Sequence, residues 1–466
     1  MVIKFMFKHA AVVLLSFSLM ACANLSTQNL FSHYSAANAD THLALEQGLY
    51  SKAVDALPDA PAGDILDGME RGRISFVAQQ YPTSFGAFQR ADMAVKEQQR
   101  QATIQVSEGL NQAGALLTND NMITYKPADY ELGFLHLYLA LNYLEQKKLE
   151  GALIEVRRAN QVQEAARKQR EAQLKSAEKE VQKKGISNNV GAVLARYPDA
   201  GKKLGQVQNG YLFYLSGVLY EADGNLNDAY IDYKRAFAVA PNNTFIANTV
   251  LRVATALNMT NDLPTLQARY GKYEQPVQGN GRVVIFDEKG VVQALDNWRL
   301  PLWLPDSRGD GAIYNLALPY YSNKPVKRFT PLKLDNQPVN GGQVTSVNDM
   351  AKNSLNEALP AIVVRQSLRV LAKNEVRKSA ASKGNDVGNI LANIFNTLTE
   401  QPDTRSWQSL PANVDIYHKD LSAGMHNLSW NGQQLNVDVK ANRTTMVWVS
   451  RQGNQISWWS TLLGGI

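Results

Sequence analysis

Cysteine is nearly absent from this sequence. Cys22 is the only one in 466 residues, which excludes a disulfide framework and any cysteine-built metal site. Long apolar runs are scarce too. After the first two dozen residues no segment is long and apolar enough to span a bilayer, which takes roughly 20 residues. Three signatures of catalysis are missing: His-Glu-x-x-His, Gly-x-Ser-x-Gly, and a glycine-rich phosphate loop ending in Lys-Ser/Thr. Strong charge of one sign is missing as well. The formal net charge is +6, and loss of Lys4 and Lys8 with a cleaved leader brings it to about +4. That is mild for this length and gives no reason to expect a nucleic-acid partner.

What is present begins at the amino terminus. Met1 to His9 carry two lysines and no acid, and Ala10 to Met20 form a short apolar run. This is the layout of a signal peptide, and its core is too short for a membrane-spanning helix. The run closes Leu19-Met20-Ala21-Cys22, which resembles the bacterial lipobox. The resemblance implies cleavage after residue 21 and a diacylglyceryl group on Cys22, with further acylation of the new amino terminus. One acyl chain anchors marginally and two or three anchor stably. Ala23 in the next position resembles the outer-membrane default of Gram-negative lipoproteins, in which an aspartate there marks inner-membrane retention. Residues 22–40, rich in Ser, Asn, Thr and Ala, read as a tether between lipid and folded protein.

Helical periodicity runs from about Thr41 to residue 272. Within it Gly210 to Asn243 resembles a tetratricopeptide (TPR) repeat, through Phe213, Gly217, Tyr220, Leu226, Ala229, Tyr233, Ala236 and Pro241. Gly217 and Ala229 are small where two antiparallel helices approach, Gly224-Asn225 turns the chain, and Pro241 ends the second helix. A second copy spans 133–160, with Ala140, Tyr143, Leu149, Ala152, Val156 and Ala159 at matching offsets. Glu164 stands where its closing proline would be, so the second helix is expected to run on into a charged helical insertion over about 161–205 that hairpins back through 188–204. Weaker copies lie at 68–101 and 43–57, as expected of an array that needs about three units to bury a continuous core.

The pattern changes after about Gln275. Arg282 to Phe286 and Gly290 to Val292 read as strand, turn, strand; 312–318 and 328–334 add strands. Residues 346–378 return to helix, with a new helix expected at Pro360. Five aromatic and β-branched runs between 414 and 460 follow, and the alternation in 445–449 suggests antiparallel strands with one face buried. The fold class read from this order is α+β: an N-terminal α-helical TPR-like solenoid (41–272) followed by a mixed, mainly β C-terminal domain (276–466) with a helical insert.

Four features are candidates for function. In the TPR register the first helix of each repeat lines the concave face, which places Phe134, Leu137, Leu141, Leu144, Tyr211, Tyr214, Val218 and Glu221 in a groove suited to a partner helix or peptide. That groove is either open or filled by the extension or the C-terminal half. Asp403, Arg405 and Trp407, followed by Leu410 and Pro411, suggest an ion pair capped by the indole, serving either as a ligand pocket or as a structural latch before a strand. His418 and His426, with Asp415 and Asp420, lack metal-ligand spacing and read as polar strand ends. Ser176 and Lys179 match a Ser-x-x-Lys spacing, but on a charged helix with no pocket to desolvate the lysine. No cofactor, no metal and no catalytic residue are assigned.

As a whole the chain resembles a group of bacterial TPR lipoproteins that share the lipobox, the helical half and a β-containing C-terminal region with an Asp-x-Arg-x-Trp-x-x-Leu-Pro motif, here Asp403 to Pro411. The resemblance implies an architecture and brings no activity with it. The expectation is a non-enzymatic scaffold on the periplasmic face of the outer membrane, holding a protein partner in envelope assembly, in cell-wall synthesis or in export of a surface polymer. The alternative is a peptidoglycan- or polysaccharide-binding lipoprotein that uses the aromatic C-terminal region; an unrecognised hydrolase stands behind both.

Overall fold

The computed structural model describes residues 33–59, 62–108, 124–181, 204–305, 311–322, 324–325, 327–381 and 402–465. The leader, Cys22, Ala23 and the expected return hairpin at 188–203 lie outside the described residues.

The helical half opens with three short helices, α1 (Tyr34–Ala37), α2 (Ala39–Glu46) and α3 (Tyr50–Asp55). Folded structure thus starts inside the segment expected to be tether. Tyr34 is buried, and Ser35 bonds through its amide to the Thr404 hydroxyl at 3.1 Å. Four helix pairs follow: α4 (Asp64–Val77) with α5 (Tyr81–Glu108), α6 (Asp129–Glu145) with α7 (Leu149–Val181), α8 (Gly210–Ala222) with α9 (Leu226–Val239), and α10 (Thr244–Ala256) with α11 (Leu263–Tyr270). α7 runs to Val181 with no proline to stop it. α9 stops at Val239, two residues before Pro241. Close approach within the pairs is set by glycine against an aromatic ring. A Cβ at Gly217 would lie 2.6 Å from the Tyr233 ring, and one at Gly72 2.6 Å from Phe88. The weak repeat at 68–101 is therefore a full helix pair starting at Asp64.

The strands are β1 (Asn280–Lys289), β2 (Asp296–Pro305), β3 (Gly311–Tyr320), β4 (Leu332–Leu334), β5 (Gln337–Val339), β6 (Gly342–Ser346), β7 (Asn413–Ser422), β8 (Gly424–Trp430), β9 (Gln433–Val439), β10 (Arg443–Gln452) and β11 (Gln455–Gly465). A five-stranded sheet has the order β11-β10-β1-β7-β6, a four-stranded sheet the order β5-β4-β8-β9, and β2 and β3 form a ten-rung hairpin. β1 and β10 pair in parallel and the other neighbours are antiparallel. The expected second strand at 290–292 is absent; Gly290 instead turns the chain at φ +68°. α12 (Val347–Ala381) passes through Pro360 as one helix, where a new helix was expected. A proline deprives only one carbonyl four residues earlier of its donor, which a 35-residue helix tolerates.

Sequence alternation suggested that β10 buries one face, but every residue from Thr444 to Gln452 is buried. The reason is a third layer. Val283, Ile285, Val447 and Val449 face the four-stranded sheet, meeting Leu428, Trp430, Val437 and Val439. Val284, Phe286, Met446 and Trp448 face the helices and share one core with Leu66, Phe88, Tyr138 and Tyr211. The two halves are thus not a solenoid followed by a separate domain. The helices lie across the five-stranded sheet and share one core with its inner face.

Candidate functional site

The faces expected to form a groove are filled. Phe134, Leu137, Leu141 and Leu144 are at most 1% exposed, and Tyr211, Tyr214 and Val218 at most 3%. Tyr211 and Tyr214 pack on Phe286 of β1 with centroids 5.1 and 5.9 Å apart. The Tyr211 hydroxyl donates to Glu288 at 3.2 Å, and its amide donates to the Thr345 hydroxyl at 2.9 Å. Glu221 accepts from Arg252 of α10 at 2.6 Å and from the Tyr233 hydroxyl at 2.8 Å. Tyr211 and Tyr214 thus meet the chain's own sheet, Glu221 is tied to neighbouring helices, and the α6 residues are buried in the same core. A few helix pairs with wide apolar faces cannot stand in water, and the apolar face of the sheet covers them.

At the centre of this interface is a buried ion pair that sequence reading missed. Arg73 of α4 donates to Glu288 of β1 at 2.7 Å, with both side chains at most 1% exposed. Tyr138, Tyr211 and Trp448 also donate to Glu288, at 3.2, 3.2 and 3.0 Å. Arg73 also donates to the Ser450 hydroxyl at 2.9 Å, and its guanidinium lies 4.8 Å from the Tyr138 ring centroid and 5.7 Å from that of Trp448. The signal was available: Glu70 and Arg73 interrupt a helix that is otherwise apolar on this face, and Glu288 closes an apolar strand.

The 403–411 motif is a latch between the layers. Glu131 Oε1 accepts from the Trp407 amide at 2.8 Å, and its other oxygen from the Ala128 amide at 2.8 Å and from the Tyr125 hydroxyl. Glu70 accepts from the amides of Gln408 and Ser409 at 2.6 and 3.1 Å. Burial raises both carboxyls, that of Glu70 to about 7 despite the opposing pull of those amides. Asp403 and Arg405 pair through Nε and Nη2 at 2.9 and 2.8 Å. The expected indole cap is corrected: the guanidinium lies over Tyr125 at 5.7 Å, while Trp407 points into the core against Phe88 and Tyr138.

A cavity of about 400 Å³ opens beside the latch. Asp403, Arg405, Tyr130 and Glu131 line one side; Ala351, Leu355, Ala358, Ile362 and Arg365 of α12 line the other. A second, more open depression of about 620 Å³ lies on the outer surface, between α7 and α9. Arg157, Glu164, Lys168, Asp228 and Arg235 line it together with Ile231, which is 49% exposed.

The histidines do not come together. His418 faces the Phe245 carbonyl at 2.9 Å, and burial lowers it to about 4 with help from Arg282. His426 pairs with Asp335 at 2.6 Å. Asp420 binds Arg282, and Asp415 binds Lys289. Among the described residues no group of three His, Cys, Asp or Glu side chains could hold a metal. The aromatic residues expected to form a sugar-binding face are mostly core: Trp407, Trp430, Trp448 and Trp459 are all buried.

No protein-family profile matches the chain, and no curated protein matches it. Sixteen chains of solved structures do. MamA from AMB-1 is 13% identical, with 50% of this chain and 88% of that one covered and a TM-score of 0.28. A second MamA structure is 9% identical, with 54% and 99% covered and a TM-score of 0.28. The TPR2AB domain of yeast Sti1, in complex with pHSP90, is 12% identical, with 51% and 75% covered and a TM-score of 0.20. At TM-scores this low the likeness carries no argument, and the repeat reading rests on the helix pairs themselves.

Proposed function

We propose that this protein is a lipid-anchored, non-enzymatic scaffold of the cell envelope, acylated at Cys22 and held on the periplasmic face of the outer membrane, that docks a protein partner on the outer groove between α7 and α9. One observation supports that seat. The inner faces of the helix pairs are filled by the chain's own sheet, while the outer groove keeps a half-exposed isoleucine ringed by fixed charges. Arg157 lies 5.5 Å from the Tyr220 ring centroid, and Asp232 is held by Ser216, Asn160 and Arg235 at 2.6, 3.0 and 3.0 Å. An apolar anchor within a polar rim is the anatomy of a protein contact. Mixed charge on the rim sets partner choice more than affinity.

Two measurements test this reading. Lipid labelling of cells should mark the wild type and not a Cys22→Ala variant; label on the variant removes the anchor. Capture from envelope extracts should enrich a partner on the wild type and lose it on Ile231→Glu, whose side chain lies on the surface. Equal recovery on both proteins removes the outer groove as the seat.

A further inference from the structure

We propose that β11, an edge strand of the five-stranded sheet, pairs antiparallel with the β11 of a second copy of this chain, about a twofold axis at Ser460. The two edges of that sheet are built differently. At the far edge β6 is only 5 residues long and is shielded. Asn243 donates to the Gln343 carbonyl at 3.2 Å, and the Thr345 hydroxyl is tied to Tyr211 and Asn209. Gly210 lies so close that a Cβ there would be 2.6 Å from the Val344 carbonyl oxygen. β11 is 11 residues long and carries neither a charged residue nor a proline, two devices that keep an edge strand single.

The ladder fixes which backbone groups point outward. In an antiparallel pair, alternate residues turn their N–H and C=O toward the partner. The Arg451 carbonyl accepts from the Gly290 amide at 2.9 Å, so the odd-numbered residues of β10 turn toward β1. Their partners on β11 are Ile456, Trp458, Ser460 and Leu462, which therefore turn outward. The Trp458 carbonyl agrees, because it accepts from the Gln79 side chain at 3.4 Å. Among the described residues no hydrogen bond reaches the outward amide or carbonyl of Ser460 or Leu462. The faces of the strand are taken. Trp459 and Leu463 sit in the core shared with the helices, and Ile456 and Trp458 pack with the four-stranded sheet. Leu462 is 38% exposed.

The register names the occupant. Two edges pair only where outward residues meet outward residues, and a twofold axis through Ser460 achieves this. Ser460 then faces its own copy, and Trp458 of each chain faces Leu462 of the other. Each such pair exchanges two backbone hydrogen bonds, and tryptophan against leucine adds an apolar cross-strand contact. A strand without charge meets itself without repulsion, and two five-stranded sheets become one. The Gln79 bond that must be released is long, at 3.4 Å. A contact of this isologous kind closes at two chains. It uses none of the residues that line the outer groove, so it stands or falls apart from the scaffold reading.

Sedimentation velocity of the mature full chain in detergent, between about 1 and 100 micromolar, should show monomers and dimers in exchange. Ser460→Lys sets two like charges face to face and should weaken the dimer about tenfold or more. Ser460→Glu should do the same, and mixing the two variants should restore dimers, because each charge then faces its opposite. Ser460→Cys should give a disulfide-linked dimer on mild oxidation, since opposed residues of this kind bring their Cα atoms about 5.5 Å apart. Asn454→Cys, in the turn before β11, and the wild type with Cys22 alone should not. A wild type that stays monomeric at about 100 micromolar overturns the proposal, and is the result expected if the edge serves a strand of another protein. A Ser460→Lys dimer as strong as the wild type, or a lysine–glutamate mixture that does not reassociate, overturns it as well.

Discussion

Arg73→Met is the sharpest test of how the helices and the sheet are joined. The side chains of Arg73 and Glu288 are 1% and 0% exposed and 2.7 Å apart. Removing one partner of such a pair costs about 3–5 kcal/mol, because the other charge is left buried. Glu288 keeps three neutral donors, Tyr138, Tyr211 and Trp448. All three reach Oε1, whereas Arg73 holds Oε2, so the oxygen that loses its donor gains nothing from them. Replacing Glu288 as well, by Gln, keeps an acceptor for the three donors and removes the stranded charge. The double variant should therefore regain about 2 kcal/mol over Arg73→Met alone, a coupling typical of residues in contact. Urea unfolding should be followed by far-ultraviolet circular dichroism for the helices and by tryptophan fluorescence for the C-terminal half, which holds all seven tryptophans. Both probes should report one transition, and Arg73→Met should move both together. Two resolved transitions, of which only one shifts, would show that helices and sheet fold as separate units and would refute the shared core.

Three further outcomes follow from local geometry. Gly72→Ala drives a methyl group into the Phe88 ring, itself stacked on Tyr138 with centroids 5.8 Å apart; it should cost about 1–3 kcal/mol in thermal or urea unfolding. Glu70 ionises near 7 when folded against an ordinary 4.5, so its contribution to stability is full below about 4.5 and is lost as pH rises through 7. That loss is on the order of 3 kcal/mol. The stability advantage of wild type over Glu70→Gln should therefore shrink between pH 5 and pH 8, and a constant difference counts against the assignment. Asp403→Asn breaks the most conspicuous pair of the motif, but Asp403 is 30% exposed; the cost in unfolding free energy should stay below about 1 kcal/mol.

Sequence periodicity revealed the elements better than their assembly. The glycine–tyrosine spacing of 210–243 located α8 and α9 closely, because the residues at a tight helix crossing must be small and those opposite them large. The strands from 413 to 465 were visible through their aromatic and β-branched runs. What stayed hidden was which face meets which. Tyr211 and Tyr214 look the same in sequence whether they await a partner or meet Phe286. Period-two alternation was read in β10 as one wet face, but both faces are buried, because Val447 and Val449 meet the second sheet while Met446 and Trp448 meet the helices. Glu70, Arg73, Glu131 and Glu288 were the overlooked signal. Charges set in apolar stretches are seldom buried unless paired, and here each pairs across a layer boundary. Asp403 and Arg405 drew attention by proximity in sequence, yet the latch is held chiefly by Glu70 and Glu131, which lie more than 270 residues away.

One departure from the repeat pattern bears directly on the shape of the outer groove. In the pair ending at Val239, proline follows and the second helix stops. In the pair α6–α7, Glu164 stands in place of that proline and the helix continues to Val181. Helix α7 is therefore 33 residues long, roughly 50 Å at 1.5 Å per residue, and outruns the helix it packs against. Its added turns carry Glu164, Ala165 and Lys168, which form one wall of the outer groove. Glu164 is steadied there by Arg167 at 2.7 Å. A proline in this position would have shortened that wall to Arg157, Asn160 and Gln161. The change that spoils the repeat is thus the one that extends one wall of the outer groove, while the sheet covers the inner faces.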